Sequence, residues 1–345
     1  MVDHADGGDT DGDIEAEAVV THADLTYAER DAGEMKLDLY SPDTERAVPL
    51  VVYVHGGGWV VETRKNTPDF ERFAAEWDCA IASVSYRLAE VPEHVEPPLS
   101  VDPANETPRG VFPDQIVDVK AAIRWLRAHA DEFGYDASAV AVWGASAGGH
   151  LAALAGVVDD IEDLAGDTYS TQALEPVVAP ETSGRVQAVI TWYPITDLRS
   201  LPDAEDGITS LLLDGSVAEH PDRARLASPV THVTADSPPF LLVHGRADDV
   251  VPVEQSQALF DELAAPDAEA AFYELPDLGH VWGADSERTA MDILESEPRP
   301  DFRFTATPGF GETAAAEQPL DGQRPVGPEI IDAFLDRIRS SGSNS

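Results

Sequence analysis

The chain is expected to fold as an α/β protein, a mostly parallel, eight-stranded sheet with helices on both faces. Three observations carry that expectation. Strand-like and helix-like segments alternate along most of the 345 residues. The later strand candidates are short unbroken apolar runs, such as Phe240-Leu241-Leu242-Val243, the pattern of strands buried on both faces of a parallel sheet. Two adjacent strand candidates, a hairpin-like pair, come before the alternation begins.

In order, that opening pair falls at 19–27 and 35–40. A third strand, 49–54, is followed by helical periodicity over Pro68–Trp77 and a fourth strand at 79–84. The next helix, Asp114–Ala130, puts Ile116, Val119, Ala122, Ile123 and Leu126 on one face. Strand 139–143 runs into helix Ser146–Val157, and strands 186–193 and 239–243 follow. Helix Gln255–Ala264, strand 270–275 and helix Pro328–Ile338 complete the series. There is no internal repeat and no sign of a second core. The expected organisation is an acidic mobile tail over 1–18 and a single domain over 19–340, with an insertion at 285–325.

Three stretches break the alternation. Residues 90–113 are rich in Pro and Glu, and 159–185 are acidic with Pro176 and Pro180. Residues 285–325 contain five prolines and three glycines, which preclude a long helix, and no apolar run from which to build a buried strand. Leaving Phe302, Phe304 and Phe310 in water would forgo ~1.5–3 kcal/mol each. These aromatics are therefore expected to pack on the domain, and the segment, starting five positions after His280, to cover part of the entrance to Ser146.

Composition narrows the function. With 43% hydrophobic residues the chain can build a sizeable core, so it is not a disordered protein. Acidic residues number 65 and basic ones 22, a net charge of −43 that repels phosphate backbones and anionic lipid surfaces. No nucleic acid and no membrane partner is expected. The acidic residues are scattered along the chain, and Lys36, Lys65 and Lys120 are the only lysines. That pattern suits a halophilic protein in a salt-rich cytoplasm, where a Debye length of ~3 Å at molar salt screens self-repulsion.

Cys79 is the only cysteine, which excludes an intrachain disulfide and a cysteine-based zinc site. Asp9-Thr10-Asp11-Gly12-Asp13 invites a calcium-loop reading but has Ile14 and Val20 where the loop needs Gly and Glu. No metal and no cofactor is expected. Met1-Val2-Asp3-His4 lacks the basic and apolar regions of a signal peptide, and no 18-residue apolar run occurs, so a cytoplasmic location is expected.

The chemistry concentrates in Val140-Ala141-Val142-Trp143-Gly144-Ala145-Ser146-Ala147-Gly148-Gly149-His150-Leu151, a buried strand, then Gly-x-Ser-x-Gly, then a small-residue helix. A serine hydroxyl is a poor nucleophile unless it is exposed, immobile and next to a base. A tight strand-to-helix turn provides the exposure, and Gly144 and Gly148 are needed because side chains there would clash across it. The helix N-terminus favours negative charge developing on a substrate. Separately, Leu50-Val51-Val52-Tyr53-Val54 ends in His55-Gly56-Gly57-Gly58-Trp59. Three glycines let backbone N–H groups converge on one point, as an oxyanion requires, with the N–H of Ala147 as the partner donor. A phosphate-binding loop is not the expected reading, since the Gly-Lys-[Ser/Thr] ending is missing.

The acid and base should follow the serine in chain order. Asp248, after strand 239–243, is the better acid candidate, with its neighbour Asp249 and the earlier Asp197 as alternatives. Of ten histidines, His280, in the loop after strand 270–275, is the candidate base. His55 and His244 read as holding their own loops. His150, one turn along the serine's helix, would point its ring along that helix and not over Ser146.

The combination of His55-Gly56-Gly57-Gly58-Trp59, Tyr86-Arg87-Leu88, Phe112-Pro113 through Asp118 to Trp125-Leu126-Arg127, Trp143–Leu151, Trp192-Tyr193-Pro194 with Asp197-Leu198, and His244-Gly245-x-x-Asp248 resembles the α/β-hydrolase carboxylesterases. The nearest branch includes bifunctional feruloyl and acetyl-xylan esterases, related to hormone-sensitive-lipase-type esterases. The resemblance covers about 20–284 and again 326–340. It implies an α/β-hydrolase fold, Ser146 as nucleophile, Asp248 as acid, His280 as base, and the N–H groups of Gly57, Gly58 and Ala147 as the oxyanion hole. It implies a serine carboxylic-ester hydrolase acting on a small-molecule ester, a carbohydrate or aryl ester among the options, without a cofactor. The insertion at 285–325 departs from the family, which goes almost directly into its last helix.

Two other readings stand beside this one. An amide hydrolase of the same fold, formamidase or peptidase-like, would use the same residues, although the chain has no room for the large accessory domain of such peptidases. A non-catalytic hydrolase-fold binding protein would commonly lack one of the three residues, and here all three are present.

Overall fold

The computed structural model describes residues 18–92, 99, 102, 104–159, 161–164, 178–201, 207–280, 301–311 and 326–339. The chain begins with β1 (Val19–Arg30) and β2 (Gly33–Pro42), an antiparallel pair, then β3 (Val48–Val54). Helix α1 (Phe70–Glu76) leads to β4 (Ala80–Val84). A small parallel pair, β5 (Leu88–Ala89) and β6 (Arg109–Gly110), precedes α2 (Asp114–Ala128) and the single turn α3 (Ala130–Phe133). Then come β7 (Tyr135–Ala145), α4 (Ala147–Val157), β8 (Ala188–Trp192), α5 (Ile208–Leu213), α6 (Pro221–Leu226), β9 (Phe240–Gly245), α7 (Glu254–Ala264), β10 (Ala270–Leu275), β11 (Arg303–Ala306) and α8 (Glu329–Arg339).

The main sheet has the order β1-β2-β4-β3-β7-β8-β9-β10-β11. Six central strands, β4 to β10 in that order, run parallel, and antiparallel strands flank them at both ends. Strand β3 shows why the interior reads as an unbroken apolar run. Leu50, Val52 and Val54 point into the layer under α2, α4 and α7, while Val51 and Tyr53 point into the layer under α1 and α8. Both faces are covered, so alternation disappears from the sequence.

Among the described residues the sheet has nine strands, where eight were expected. The ninth, β11, comes from the segment 285–325 and pairs antiparallel with β10, Phe304 opposite Tyr273 and Arg303 opposite Glu274. It is an edge strand with Arg303 exposed and the rest half-buried, so no apolar run marks it. Its stabilisation is tertiary. Phe302 and Phe304 lie 5.5 and 4.8 Å from the Tyr273 ring, and Arg303 pairs with Glu274 at 3.3 Å. Phe310 is buried and stacks on Phe334 of α8. The three aromatics thus pack on the domain. The tail expected over 1–18 falls outside the described residues except for Ala18, as do 285–300 and 312–325, on which the expected cover over the entrance falls.

Candidate active site

Ser146 joins β7 to α4 with φ 55° and ψ −121°, a region that costs a residue with a side chain of order 1–3 kcal/mol. Its neighbours make the turn possible. A Cβ on Gly144 would lie 2.2 Å from the carbonyl oxygen of Gly148, and one on Gly148 would lie 2.0 Å from that of Val54. The N–H of Ser146 donates to Trp192 O at 2.9 Å, which fixes the serine against β8.

Asp248 and His280 reach the serine from the ends of β9 and β10. His280 Nε2 is 3.1 Å from Ser146 Oγ, and His280 Nδ1 is 2.7 Å from Asp248 Oδ2. The other carboxylate oxygen accepts from the N–H groups of Val250 and Val251 at 3.0 and 2.8 Å. Burial alone would raise the Asp248 carboxyl, but hydrogen bonds from His244 and His280, the His280 charge and the Val251 N–H outweigh it and hold it well below its ordinary value. Asp248 therefore stays ionised and orients the imidazole so that Nε2 faces the hydroxyl. The alternatives do neither job: Asp249 is exposed, and Asp197 caps the short turn Leu198–Ser200 and pairs with Arg199.

Other histidines have other duties. His244 Nε2 donates to Val251 O at 2.9 Å while its Nδ1 accepts from Ser256 Oγ, so it holds the Asp248 loop as expected. His55 is stacked on Tyr86 with ring centroids 4.3 Å apart, and burial lowers its pKa to about 3. His129, His220 and His232 bond to nearby backbone carbonyls.

The glycine loop runs beside the serine. A Cβ on Gly56 would lie 3.6 Å from Ser146 Cβ. Gly57 and Gly58 begin a 3-10 turn at φ 77° and 57°, and Ala147 is the first residue of α4. Their N–H groups lie in the first turn of a helix, before intrahelical acceptors begin. A Cβ on Gly58 would come within 2.0 Å of Ile208 Cδ1, so α5 walls this side of the site.

Contacts of three residues at the site are not foretold by the sequence. The Tyr193 ring stands edge-on to His280 at 4.8 Å, at a backbone φ of 38°. Glu62 lies against the glycine loop, where burial raises its carboxyl to about 7 against the lowering effect of the Gly56 N–H. His150 bonds Trp59 of the glycine loop. Only the Tyr193-Pro194 after a buried strand carried a usable signal; the other two contacts depend on loops meeting in space. Among the described residues no cluster of three or more His, Cys, Asp or Glu could hold a metal ion, and no helix is long and apolar enough to cross a membrane.

The chain is similar to several known proteins. The BD-FAE family model matches residues 37–263. Among curated proteins of Mycobacterium tuberculosis, "Probable carboxylic ester hydrolase LipM" is 31% identical over 271 residues, covering 75% of this chain and 56% of LipM. Esterase LipC is 34% identical over 242 residues, 68% of this chain and 53% of its own. The chain thus spans about half the length of these curated relatives. A solved structure described as a truncated carbohydrate esterase from gut microbiota superposes with a TM-score of 0.65 at 26% identity, covering 79% of this chain and 93% of that one.

Proposed function

The chain belongs to the BD-FAE family of α/β-hydrolase fold, and on that premise we propose that it hydrolyses carboxylic esters through an acyl-enzyme on Ser146. His280 Nε2 takes the proton of Ser146 Oγ as the oxygen attacks the ester carbonyl. The tetrahedral intermediate's oxyanion is received by the N–H groups of Gly57, Gly58 and Ala147. His280 then gives its proton to the departing alcohol, and the bond from the carbonyl carbon to the alcohol oxygen breaks. Water, deprotonated by His280, repeats the sequence and releases the acid. Asp248 holds the imidazole and stabilises its charged form.

The observation that carries this reading is the continuous chain from Asp248 Oδ2 through His280 to Ser146 Oγ, with distances of 2.7 and 3.1 Å. Relatives named as esterases support ester over amide hydrolysis. The gut neighbour's description supports a carbohydrate ester as one substrate class. The acidic excess of the chain supports work at high salt in a salt-rich cytoplasm.

A panel of 4-nitrophenyl esters with acyl chains of two to sixteen carbons, acetylated sugars, methyl ferulate, a formamide and an aminoacyl anilide, run at low and molar KCl, tests all three. Ester turnover that rises with salt is expected. Preferential cleavage of the amides would favour the formamidase or peptidase-like reading. No turnover, with no labelling by a fluorophosphonate, would favour a binding protein.

A further inference from the structure

His150 is fully buried and stands one turn beyond Ser146 on α4. It has three attachments. Its backbone N–H donates to Ser146 O at 2.9 Å. Its Nδ1 accepts from the Trp59 indole N–H at 3.1 Å, and its Nε2 lies 2.6 Å from Ala227 O. An indole N–H can only donate and a carbonyl can only accept, so one form of the ring satisfies both: neutral, with the proton on Nε2. Burial works in the same direction and lowers the pKa to about 4, against the Ala227 carbonyl, which favours the charged ring.

The partner of that ring is unusual. Gly57, Gly58 and Trp59 lie consecutively at φ 77°, 57° and 63°. Glycine adopts such angles freely, whereas a bulky aromatic residue does so only when its surroundings hold it there. Trp59 is fully buried and its indole meets the His150 ring edge-on at 5.2 Å. Ala227, the other anchor, ends α6 in the same connection between β8 and β9 that sends Ile208 over Gly58. One imidazole therefore ties together the serine's helix, the glycine loop and the wall above it.

We propose that His150 is a positioning residue for ester hydrolysis, holding Trp59 in its left-handed conformation and so aiming the N–H groups of Gly57 and Gly58 at the oxyanion. This rests on the assignment of those N–H groups under the proposed function. The geometry separates two variants. In His150→Asn the amide oxygen takes the place of Nδ1 and still accepts from Trp59. In His150→Gln the amide nitrogen takes the place of Nε2, keeps Ala227, and leaves the indole N–H without its acceptor. Trp59→Phe removes the donor from the other side.

Two measurements test the proposal: steady-state kinetics on 4-nitrophenyl acetate, and the ¹³C NMR titration of the adduct with an aryl trifluoromethyl ketone. In that adduct Ser146 Oγ bonds to the ketone carbon, the serine proton passes to His280, and the ketone oxygen becomes the oxyanion. The wild-type adduct is expected to remain ionised well below the pH at which a hemiketal in water titrates. His150→Gln and Trp59→Phe should each lower kcat by about 10- to 100-fold with KM changed less than about threefold, and raise the adduct's titration point. His150→Asn should recover most of kcat. The double variant His150→Gln/Trp59→Phe should be no worse than either single change.

A depressed wild-type titration left unchanged in His150→Gln and Trp59→Phe would overturn the positioning role alone. A wild-type adduct that titrates as in water would overturn the oxyanion assignment, and the proposal with it. If His150→Gln does not fold, Trp59→Phe decides by the same two readouts.

Discussion

The centre of the sheet and its β11 edge cover their strands by opposite means. Strand β7 lies between β3 and β8, is buried from Val140 to Gly144, and carries Ser146 at its end. Strand β11 is four residues long, has one neighbour among the described residues, and is held by aromatic contacts with β10 and the Arg303–Glu274 ion pair. The centre needs nothing beyond its own residues to declare itself a strand. The edge is a strand only because β10 is there to pair with. The candidate reacting residues hang from the first kind of element, and the segment 285–325 builds the second kind.

The largest expected contrast is in turnover. Ser146→Ala and His280→Ala, at the ends of central strands, should each lower kcat by roughly 10⁶, because nucleophile and base act as a unit. Retention of more than about a tenth of activity in His280→Ala, with unchanged circular dichroism, would remove the base from its assigned place. Asp248→Asn should cost about 10⁴ in kcat by offering His280 the wrong hydrogen-bond partner. Asp249→Asn, one position on and exposed, should change kcat less than about threefold. The reverse order would move the acid by one residue.

Acid sensitivity should also concentrate at the centre. His55 and His150 have folded pKa values lowered to about 3 and about 4, against 6.5 unfolded, so the unfolded chain takes up two protons that the folded one refuses. Stability is then undiminished above pH 6.5 and falls as pH drops toward 4. Glu62 works the other way: its carboxyl is raised from 4.5 to about 7, so the folded state holds the extra proton between those values. These three groups together contribute a net of about one proton, a slope of about 1.4 kcal/mol per pH unit between roughly 4.5 and 6.5. Urea unfolding at several pH values in molar KCl reads that slope, and Glu62→Gln should steepen it toward two protons. A flat profile in both proteins would mean that the histidines are not buried neutral.

The smallest effect is expected at the edge. Phe304→Ser should lower stability by about 1–2 kcal/mol, since the ring is only half-buried, and leave kcat on 4-nitrophenyl acetate within about threefold. A loss of turnover comparable to that in Asp248→Asn would show that the β11 segment supports the reacting residues directly.

The same contrast explains what the sequence made legible. Eight strands announced themselves through apolar runs or hairpin alternation, and Ser146, Asp248 and His280 through their positions at the ends of three of them. Strand β11 did not, because Arg303 and Thr305 break any apolar run and its pairing partner lies about thirty residues back. The site's supporting contacts were hidden for a related reason. The sequence points the His150 ring away from Ser146, yet gives no sign of its bond to Trp59, which joins residues 91 positions apart. Glu62 follows the glycine loop with no pattern to say that its carboxyl turns back toward Gly56. Local periodicity reports on elements, whereas loop-to-loop contacts appear only once the sheet has brought its strand ends together.

The central claim, an acyl-enzyme on Ser146, is tested most directly by rapid-quench mass spectrometry during turnover of 4-nitrophenyl acetate at molar KCl. The account predicts a burst of nitrophenol matched by an acetyl group on the peptide containing Ser146, and no adduct in Ser146→Ala. Steady turnover with no acetyl adduct on Ser146, or an adduct on a different residue that persists in Ser146→Ala, would contradict it.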